Sequence, residues 1–309
     1  MPSVSVIVPC FNGERHIRRC LDSLTRQRYP NLEIIVVDDA STDGTPGILK
    51  DFSSVKVVQN AENRGPAFSR NRGIEASGGD MLVLLDADCE VDDPDWLGKH
   101  ARAQSEHPDT IVGGGIVGVG TGIVARADGY CHWFTNIPHG DAQTTSKATR
   151  RRRVPFSRHL VTTNMSLSRR VWMVVGPFNE GLRTGEDVEF CERAIERGFT
   201  LCLQPRITVR HHDRERLGEF LGCFYRAGHD RVQARLAHRS QYHGLLPRGV
   251  ISALLLSIPI ALLAPLQPLR VWFPHDKRVV LYYPLIALAS FSMALGIVRY
   301  WMQHGKRPV

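Results

Sequence analysis

The stretch MLVLLDAD at residues 81–88 places five apolar residues directly before two aspartates that a single alanine separates. A short apolar run that ends in polar residues is typical of a strand buried on both faces, as in a parallel sheet. Ligands of such sheets bind outside the carboxyl ends of the strands. We therefore expect Asp86 and Asp88 at a ligand-binding edge.

Two carboxylates placed this close repel each other unless a positive group lies between them. A hard divalent cation, Mg²⁺ or Mn²⁺, takes oxygen ligands from one or two carboxylates and fills its other positions with phosphate oxygens and water. Asp86 and Asp88 thus suit a metal–phosphate site. The alternative is a turn with two solvated aspartates.

The composition excludes several classes of protein. The chain has a net charge of +8 and is 43% hydrophobic, which fits a globular protein that meets nucleic acid, a phosphorylated substrate or an anionic membrane. Seven cysteines without a C-x-x-C pair argue against a disulfide framework or structural zinc, and favour buried free thiols. The glycine loops of dinucleotide oxidoreductases and P-loop NTPases are absent.

The N-terminal part alternates between apolar runs and helical periodicity. Strands are predicted at Val4–Val8, Leu32–Val37, Val55–Gln59 and Met81–Leu85, and helices at Glu14–Gln27 and Pro66–Ala76. This order predicts an α/β domain with a mainly parallel sheet flanked by helices. Asp38 and Asp39 end the second strand, so we expect two acidic clusters on adjacent strands at one edge, an arrangement that suits a nucleotide diphosphate.

These residues resemble a known family, the family 2 inverting glycosyltransferases with a GT-A fold. The matching motifs are VSVIVPCFN at 4–12, IIVVDDASTDGT at 34–45, SRNRG at 69–73 and LLDAD at 84–88. The order of the motifs is more specific than any one of them, and the resemblance covers roughly residues 3–230.

The resemblance implies a nucleotide site. Pro9, Phe11 and Asp39 would line the nucleoside pocket, and Asp86 would contribute to nucleotide binding. Arg70 is a candidate contact for the nucleotide or its diphosphate. The alternative for Arg70 is a surface arginine on its helix.

The resemblance also implies a metal site and a catalytic base. Asp88, helped by Asp86, would hold Mn²⁺ or Mg²⁺, and His211 would complete the shell in preference to its neighbour His212. A histidine ligand favours Mn²⁺ over Mg²⁺.

Glu186 and Asp187 precede a helical pattern, so both are expected at a helix N-terminus, where the dipole favours ionised acids. An inverting transfer needs one carboxylate to remove the proton of the acceptor hydroxyl. By resemblance Asp187 is this base and Glu186 supports it. The alternative is a charge pair that only caps the helix.

The C-terminal part changes in character. Residues 249–269 and 279–298 are uncharged, and each run is near the length that crosses a bilayer. Residues 1–9 have no basic region and only a short apolar stretch, so we expect no signal peptide and a first domain that stays in the cytoplasm. Basic residues outside the two runs favour a hydrophobic helical hairpin with both ends in the cytoplasm, which would anchor the chain to the inner face of the plasma membrane. The alternative is a pair of helices that lie in the interface or against the soluble domain.

The expected organisation is a GT-A domain over residues 1–240, with a nucleotide half at 1–110 and an acceptor half at 111–240, followed by a membrane-associated segment at 241–309. The basic run Arg150–Arg153 is expected on a solvated face, or against anionic lipid or a lipid-linked phosphate acceptor.

The expected activity is transfer of one sugar from a nucleotide-diphosphate sugar to a lipid-linked or cell-envelope glycan, without a nucleic acid partner. No Q-x-x-R-W motif, which processive synthases of the family carry, is present. The rivals are a catalytically silent membrane scaffold and a sugar nucleotidyltransferase, although the loop after the first strand is not the glycine-rich, basic loop that the latter requires.

Overall fold

The computed structural model describes residues 1–106, 108–133, 143–145, 159–237, 247 and 249–305. These residues form two compact units. Unit 1 comprises the described residues within Met1–Val117, Thr135–Gly181 and Glu186–His212; unit 2 comprises those within Gly118–Phe134, Leu182–Gly185 and Asp213–Val309. The basic run Arg150–Arg153 lies outside the described residues.

Unit 1 is a sheet with helices. Its strands are β1 (Val4–Cys10), β2 (Leu32–Asp38), β3 (Val55–Gln59), β4 (Met81–Leu85), β5 (Cys89–Glu90), β6 (Thr110–Gly118, which ends at the border of the unit), β7 (Gln143–Thr145), β8 (Asn164–Ser168) and β9 (Thr200–His211). Its helices are α1 (Ile17–Thr25), α2 (Thr45–Leu49), α3 (Pro66–Glu75), α4 (Trp96–Glu106), α6 (Arg169–Val175) and α7 (Glu186–Glu196).

The sheet is mixed. Strands β3, β2, β1 and β4 lie side by side and run parallel. The sheet then continues through β8, β6, β9 and β5, with β4 antiparallel to β8 and β5 antiparallel to β9. The expected parallel part is confirmed, but β2 and β4 are not adjacent, because β1 lies between them. Their acidic ends share one edge across the width of β1.

The apolar runs become the centre of the sheet. All five residues of β4 are buried, as are nearly all of β1. Helix α3 packs against this sheet at Gly73, where an added Cβ would lie 2.6 Å from Cγ2 of Ile7 and 3.0 Å from Cγ2 of Val37. The glycine therefore lets α3, which carries Arg70, approach β1 and β2 closely.

Unit 2 is helical. Its elements are α5 (Ile123–His132), α8 (Leu217–Ala237), α9 (Val250–Leu263), α10 (Leu266–Trp272), a 3₁₀ helix (Lys277–Tyr282) and α11 (Tyr283–His304). Helices α8 and α11 meet through two glycines. An added Cβ on Gly228 would lie 2.0 Å from the carbonyl oxygen of Met293, and one on Gly296 would lie 2.0 Å from that of Tyr225.

Two helical segments of unit 2, Val250–Trp272 and Lys277–His304, are long and apolar enough to cross a membrane. The first leaves large apolar side chains exposed: Ile251, Leu255, Leu262 and Leu263 are each more than 60% exposed. Pro259 lies within α9 without ending it. Length, composition and this exposed apolar surface are consistent with membrane association.

Candidate active site

Asp39 anchors the loop that leads into helix α3. Its Oδ1 accepts hydrogen bonds from Nδ2 of Asn60 at 2.6 Å and from the backbone N–H of Arg64 at 3.0 Å. Its Oδ2 accepts the backbone N–H of Gly65 at 2.8 Å. Gly65 has φ +90°, a conformation that favours glycine, and it directly precedes the proline that begins α3. Asp39 is also buried, and the three hydrogen bonds fix the position of its carboxylate.

The other predicted nucleoside residues lie on β1 and the loop after it. Pro9 is on β1 and pairs in register with Val37. The side chain of Phe11 is 50% exposed, which leaves its ring accessible. Asn12 adopts a positive φ of 51°, and its Oδ1 accepts the backbone N–H of Thr42 at 2.9 Å. This bond holds the β1 loop against the loop after β2.

Arg70 joins two of the predicted acids. Its Nη2 donates to Oδ1 of Asp86 at 2.7 Å, and its Nη1 donates to Oε1 of Glu186 at 2.5 Å. Arg70 is only 3% exposed, so the alternative of a surface arginine is wrong. The second carboxylate oxygen of Asp86 accepts a hydrogen bond from Oγ1 of Thr163 at 2.7 Å. Two carboxylates thus hold the buried guanidinium of Arg70.

Glu186 and its neighbour Asp187 have shifted pKa values. Burial raises the pKa of Glu186 to about 7, against the opposing effect of Arg70. Burial also raises the pKa of Asp187, whose Oδ1 accepts the backbone N–H of Val188 at 2.8 Å. Burial alone would lower the pKa of Arg70, but Asp86 and Glu186 raise it.

Glu186 and Asp187 are the first residues of α7, as the helical pattern predicted. The helix dipole stabilises ionised acids at this position, whereas burial favours their protonated forms. A carboxylate poised between these influences suits proton transfer at neutral pH.

His211 and Asp88 face each other at the end of β9. Nε2 of His211 lies 3.3 Å from Oδ1 of Asp88. The pairing of β5 with β9 sets this approach, because Cys89 is directly opposite His211. His212 points elsewhere: its ring contacts Glu90 and stacks on His16 with centroids 5.0 Å apart.

The surroundings of the predicted metal ligands Asp86, Asp88 and His211 show how well these residues fit a divalent ion. Within the described residues, no group of three or more histidine, cysteine, aspartate or glutamate side chains is placed to hold a metal ion. Asp88 and His211 supply one carboxylate and one imidazole at short range, whereas both oxygens of Asp86 already accept hydrogen bonds from Arg70 and Thr163. A two-donor pair fits a divalent ion whose remaining ligands come from a diphosphate and water.

Sequence reasoning missed three side chains of this site. Thr163 binds Asp86, Asn60 binds Asp39, and Glu90 binds His212. Asn60 directly follows β3 at the same sheet edge as Asp39, a signal that the strand pattern contained. Thr163 precedes β8, and its proximity to Asp86 depends on an antiparallel pairing that the local pattern does not encode.

Residues 5–173 match the family model described as glycosyl transferase family 2. The chain belongs to this family. A glycosyltransferase named AglE from Haloferax volcanii is 30% identical to it over 245 residues, which cover 77% of this chain and 76% of AglE.

A second relative comes from Methanococcus voltae and is 26% identical over 233 residues, 72% of this chain and 70% of the relative. It is named dolichyl N-acetyl-alpha-D-glucosaminyl phosphate 3-beta-D-2,3-diacetamido-2,3-dideoxy-beta-D-glucuronosyltransferase.

Solved glycosyltransferases share the fold. The mannosyltransferase PcManGT from Pyrobaculum calidifontis, in complex with GDP-Man and Mn²⁺, has a TM-score of 0.64 and 18% identity; the match covers 98% of this chain and 88% of that one. TarS 1–349 from S. aureus, in complex with UDP-GlcNAc, has a TM-score of 0.56 and 20% identity, with 98% and 92% covered. This family 2 glycosyltransferase therefore has a GT-A fold.

Proposed function

We propose that this family 2 glycosyltransferase transfers a single hexose-type sugar from a nucleotide-diphosphate sugar to a hydroxyl of a lipid-linked or cell-envelope glycan, with inversion and with a divalent metal. The observation that carries the proposal is the bridge of Arg70 between Asp86 and Glu186. This bridge holds the acid pair of α7 beside the end of β4, where Asp86 lies.

Asp187 is the proposed catalytic base, with Glu186 as its support. One side of Asp187 accepts the N–H of Val188, which leaves acceptor capacity on its carboxylate for an incoming hydroxyl. Burial raises its pKa, so the carboxylate is a stronger base than an exposed aspartate. In-line attack by the deprotonated hydroxyl on the anomeric carbon expels the nucleotide diphosphate and inverts the configuration.

Asp88 and His211 would hold the metal, helped by Asp86, whose two carboxylate oxygens are positioned by Arg70 and Thr163 and keep lone pairs for the ion. When bound, a divalent ion neutralises the charge that develops on the departing diphosphate. The structure of PcManGT, which shares the fold, was solved in complex with GDP-Man and Mn²⁺. A carboxylate and an imidazole are ligands that suit Mn²⁺.

Pro9, Phe11 and Asp39 are the proposed nucleoside contacts. Asp39 accepts three hydrogen bonds from protein groups, while a carboxylate offers about four lone-pair sites. One site therefore remains for an N–H of a base or a ribose hydroxyl. The half-exposed ring of Phe11 offers a face against which a base can stack. Arg70 stays a predicted nucleotide-binding residue, and it would act by positioning the Asp86 carboxylate.

The acceptor is proposed from the apolar helices and the relatives. The Methanococcus voltae relative is named for a dolichyl phosphate-linked sugar, and Val250–Trp272 and Lys277–His304 suit a bilayer. A lipid-linked acceptor would be concentrated at the membrane that these helices engage. We place the enzyme at the cytoplasmic face of the plasma membrane, where nucleotide sugars are available.

The deciding experiment measures the products that the purified, detergent-solubilised chain releases from a panel of UDP-, GDP- and dTDP-sugars, with Mn²⁺, Mg²⁺ or EDTA. Metal-dependent release of nucleoside diphosphate from one donor, lost in Asp187→Asn, is the expected result. Formation of a nucleoside triphosphate and a sugar 1-phosphate from the same donors when pyrophosphate is added would indicate a nucleotidyltransferase. Failure of both release and metal-dependent nucleotide binding would favour a silent scaffold.

The stereochemistry needs its own measurement. Proton NMR of the first product formed from an α-linked donor reports the anomeric configuration. A β-linked product supports inversion, and an α-linked product overturns it.

A further inference from the structure

Unit 2 contains an ordered row of an acid, an imidazole and a thiol that the proposed transfer reaction does not use. Oδ1 of Asp128 lies 2.8 Å from Nδ1 of His132, and Nε2 of His132 lies 3.8 Å from Sγ of Cys223. Asp128 and His132 are on α5, one helical turn apart, and Cys223 is on α8. The row therefore depends on tertiary packing and not on sequence proximity.

The acid is held from its other side as well. Oδ2 of Asp128 accepts hydrogen bonds from the backbone N–H of Arg214 at 3.0 Å and from its Nη1 at 3.1 Å. The side chain of Asp128 is only 1% exposed. An acid that is fully desolvated and doubly anchored keeps the imidazole in one orientation, as in other activated nucleophile arrangements.

The three groups influence one another electrostatically. Burial alone would raise the pKa of Asp128, but His132 and Arg214 lower it to about 2. Burial would lower the pKa of His132, yet Asp128 raises it to about 9. His132 is thus protonated at neutral pH: its Nδ1 donates to the backbone oxygen of Asp128 at 3.1 Å and forms an ion pair with Oδ1, while its Nε2 donates to the sulfur.

We propose that Cys223 is a reactive thiolate and that its site forms mixed disulfides with low-molecular-weight disulfides. The thiolate attacks one sulfur of the disulfide, a new S–S bond forms, and the old S–S bond breaks. The departing thiolate takes a proton from water. His132 stabilises the attacking sulfur as an ion-pair partner and gives up no proton in the exchange.

The other cysteines provide the contrast. Cys10, Cys20, Cys89, Cys131, Cys191 and Cys202 are all buried, whereas Cys223 is partly exposed. Burial raises the pKa of each of these six thiols, to about 12 for Cys10. Burial would also raise the pKa of Cys223, but His132 and Arg214 outweigh it and lower that pKa. The charged groups that face the thiol are His132 and Asp128 on α5 and Arg214 ahead of α8.

The first test incubates the full-length protein with oxidised glutathione at neutral pH and follows intact mass, with peptide mapping of the adduct. One glutathione on Cys223, removed by dithiothreitol, is expected. Cys223→Ser should abolish the adduct, and Cys131→Ser, which changes the thiol next to His132, should retain it. An adduct that maps to another cysteine, or no adduct, overturns the proposal.

The second test measures iodoacetamide alkylation of Cys223 against pH. The midpoint should lie below the value of about 8.5 for an ordinary thiol. His132→Gln should raise this midpoint by about one unit, which lowers the thiolate fraction at neutral pH about tenfold. Because the more basic thiolate is also more nucleophilic, alkylation should slow only about threefold. His229→Gln alters a histidine on α8 that pairs with Asp230 and should leave the midpoint unchanged.

The wild-type profile keeps the proposal testable even if His132→Gln does not fold. A wild-type midpoint at or above about 8.5 identifies Cys223 as an ordinary thiol beside a structural ion pair, and so does an unchanged midpoint in a folded His132→Gln protein.

Discussion

Nη2 of Arg70 and Oδ1 of Asp86 lie 2.7 Å apart, and this ion pair joins helix α3 to the segment that follows β4. The other arm of the same guanidinium holds Glu186. Only a planar, forked cation can serve both carboxylates in this geometry. A lysine ends in one compact ammonium nitrogen and lacks the two separated nitrogens with which Arg70 reaches Asp86 and Glu186.

Arg70→Lys should therefore lower both stability and activity. Removing one partner of a buried ion pair costs about 3–5 kcal/mol, and lysine would retain part of this. We expect a clear decrease in thermal midpoint and loss of most sugar transfer. Arg18→Lys is the matched control, because Arg18 pairs with Asp51 on the surface with 50% of its side chain exposed; exposed pairs contribute about 0–1 kcal/mol. Equal midpoints for the two variants would contradict the bridging role.

Asp187→Asn should abolish turnover and leave donor binding intact. The amide is nearly isosteric with the carboxylate, but it cannot accept the proton of the acceptor hydroxyl. General base catalysis contributes about 10²–10⁴-fold, so kcat should fall within or beyond this range. Calorimetry with the nucleotide and Mn²⁺ should give an unchanged Kd. A parallel loss of donor affinity would instead assign Asp187 to the donor site.

Activity should fall with acid at a higher pH than an exposed aspartate would permit. Asp187 acts as a base only when ionised, and burial raises its pKa above the ordinary value; Glu186, whose pKa is raised to about 7, titrates beside it. The acidic limb of kcat/KM should therefore lie above the range of a free aspartate. Glu186→Gln removes a neighbouring negative charge and should move the limb to lower pH. A limb that stays in the range of free aspartate in the wild-type protein would refute this assignment.

His211→Ala should weaken metal-dependent donor binding, whereas His212→Ala should not. The ring of His211 faces Asp88, but the ring of His212 faces Glu90. Loss of a metal-site partner costs about 10–100-fold in metal affinity. Titration of Mn²⁺ followed by electron paramagnetic resonance, in the presence of the nucleotide, measures this directly. A greater loss of Mn²⁺ affinity in His212→Ala than in His211→Ala would identify His212 as the metal ligand instead.

The fold class could be predicted because each central strand is an uninterrupted apolar run that ends in polar residues. MLVLL at 81–85 is buried throughout, and Asp86 follows it. The order of the strands could not be predicted from these runs, since nothing local in them shows that β1 lies between β2 and β4. The antiparallel pairing of β8 and β9 could not be predicted either, because their partner strands β4 and β5 lie far away in the sequence.

The candidate site could also be predicted from the sequence only in part. Acids that follow apolar strands or open a helix, such as Asp39, Asp86 and Asp187, could be recognised by position. The burial of Arg70 could not, because its helical periodicity fits an exposed face as well as a buried one. Its two carboxylate partners lie 16 and 116 residues away, and only the folded sheet edge brings them together.

Gly228→Ala should separate helices α8 and α11. An added Cβ would lie 2.0 Å from the carbonyl oxygen of Met293, and backbone cannot move aside as a flexible side chain can. We expect a loss of about 1–3 kcal/mol, as in other overpacked cores, measured as a lower thermal midpoint in detergent. Gly218→Ala is the matched control on the same helix, because an added Cβ there meets no atom within 4 Å, and alanine favours the helix by up to about 1 kcal/mol. If both variants unfold at the same temperature, the close contact between α8 and α11 does not contribute to stability.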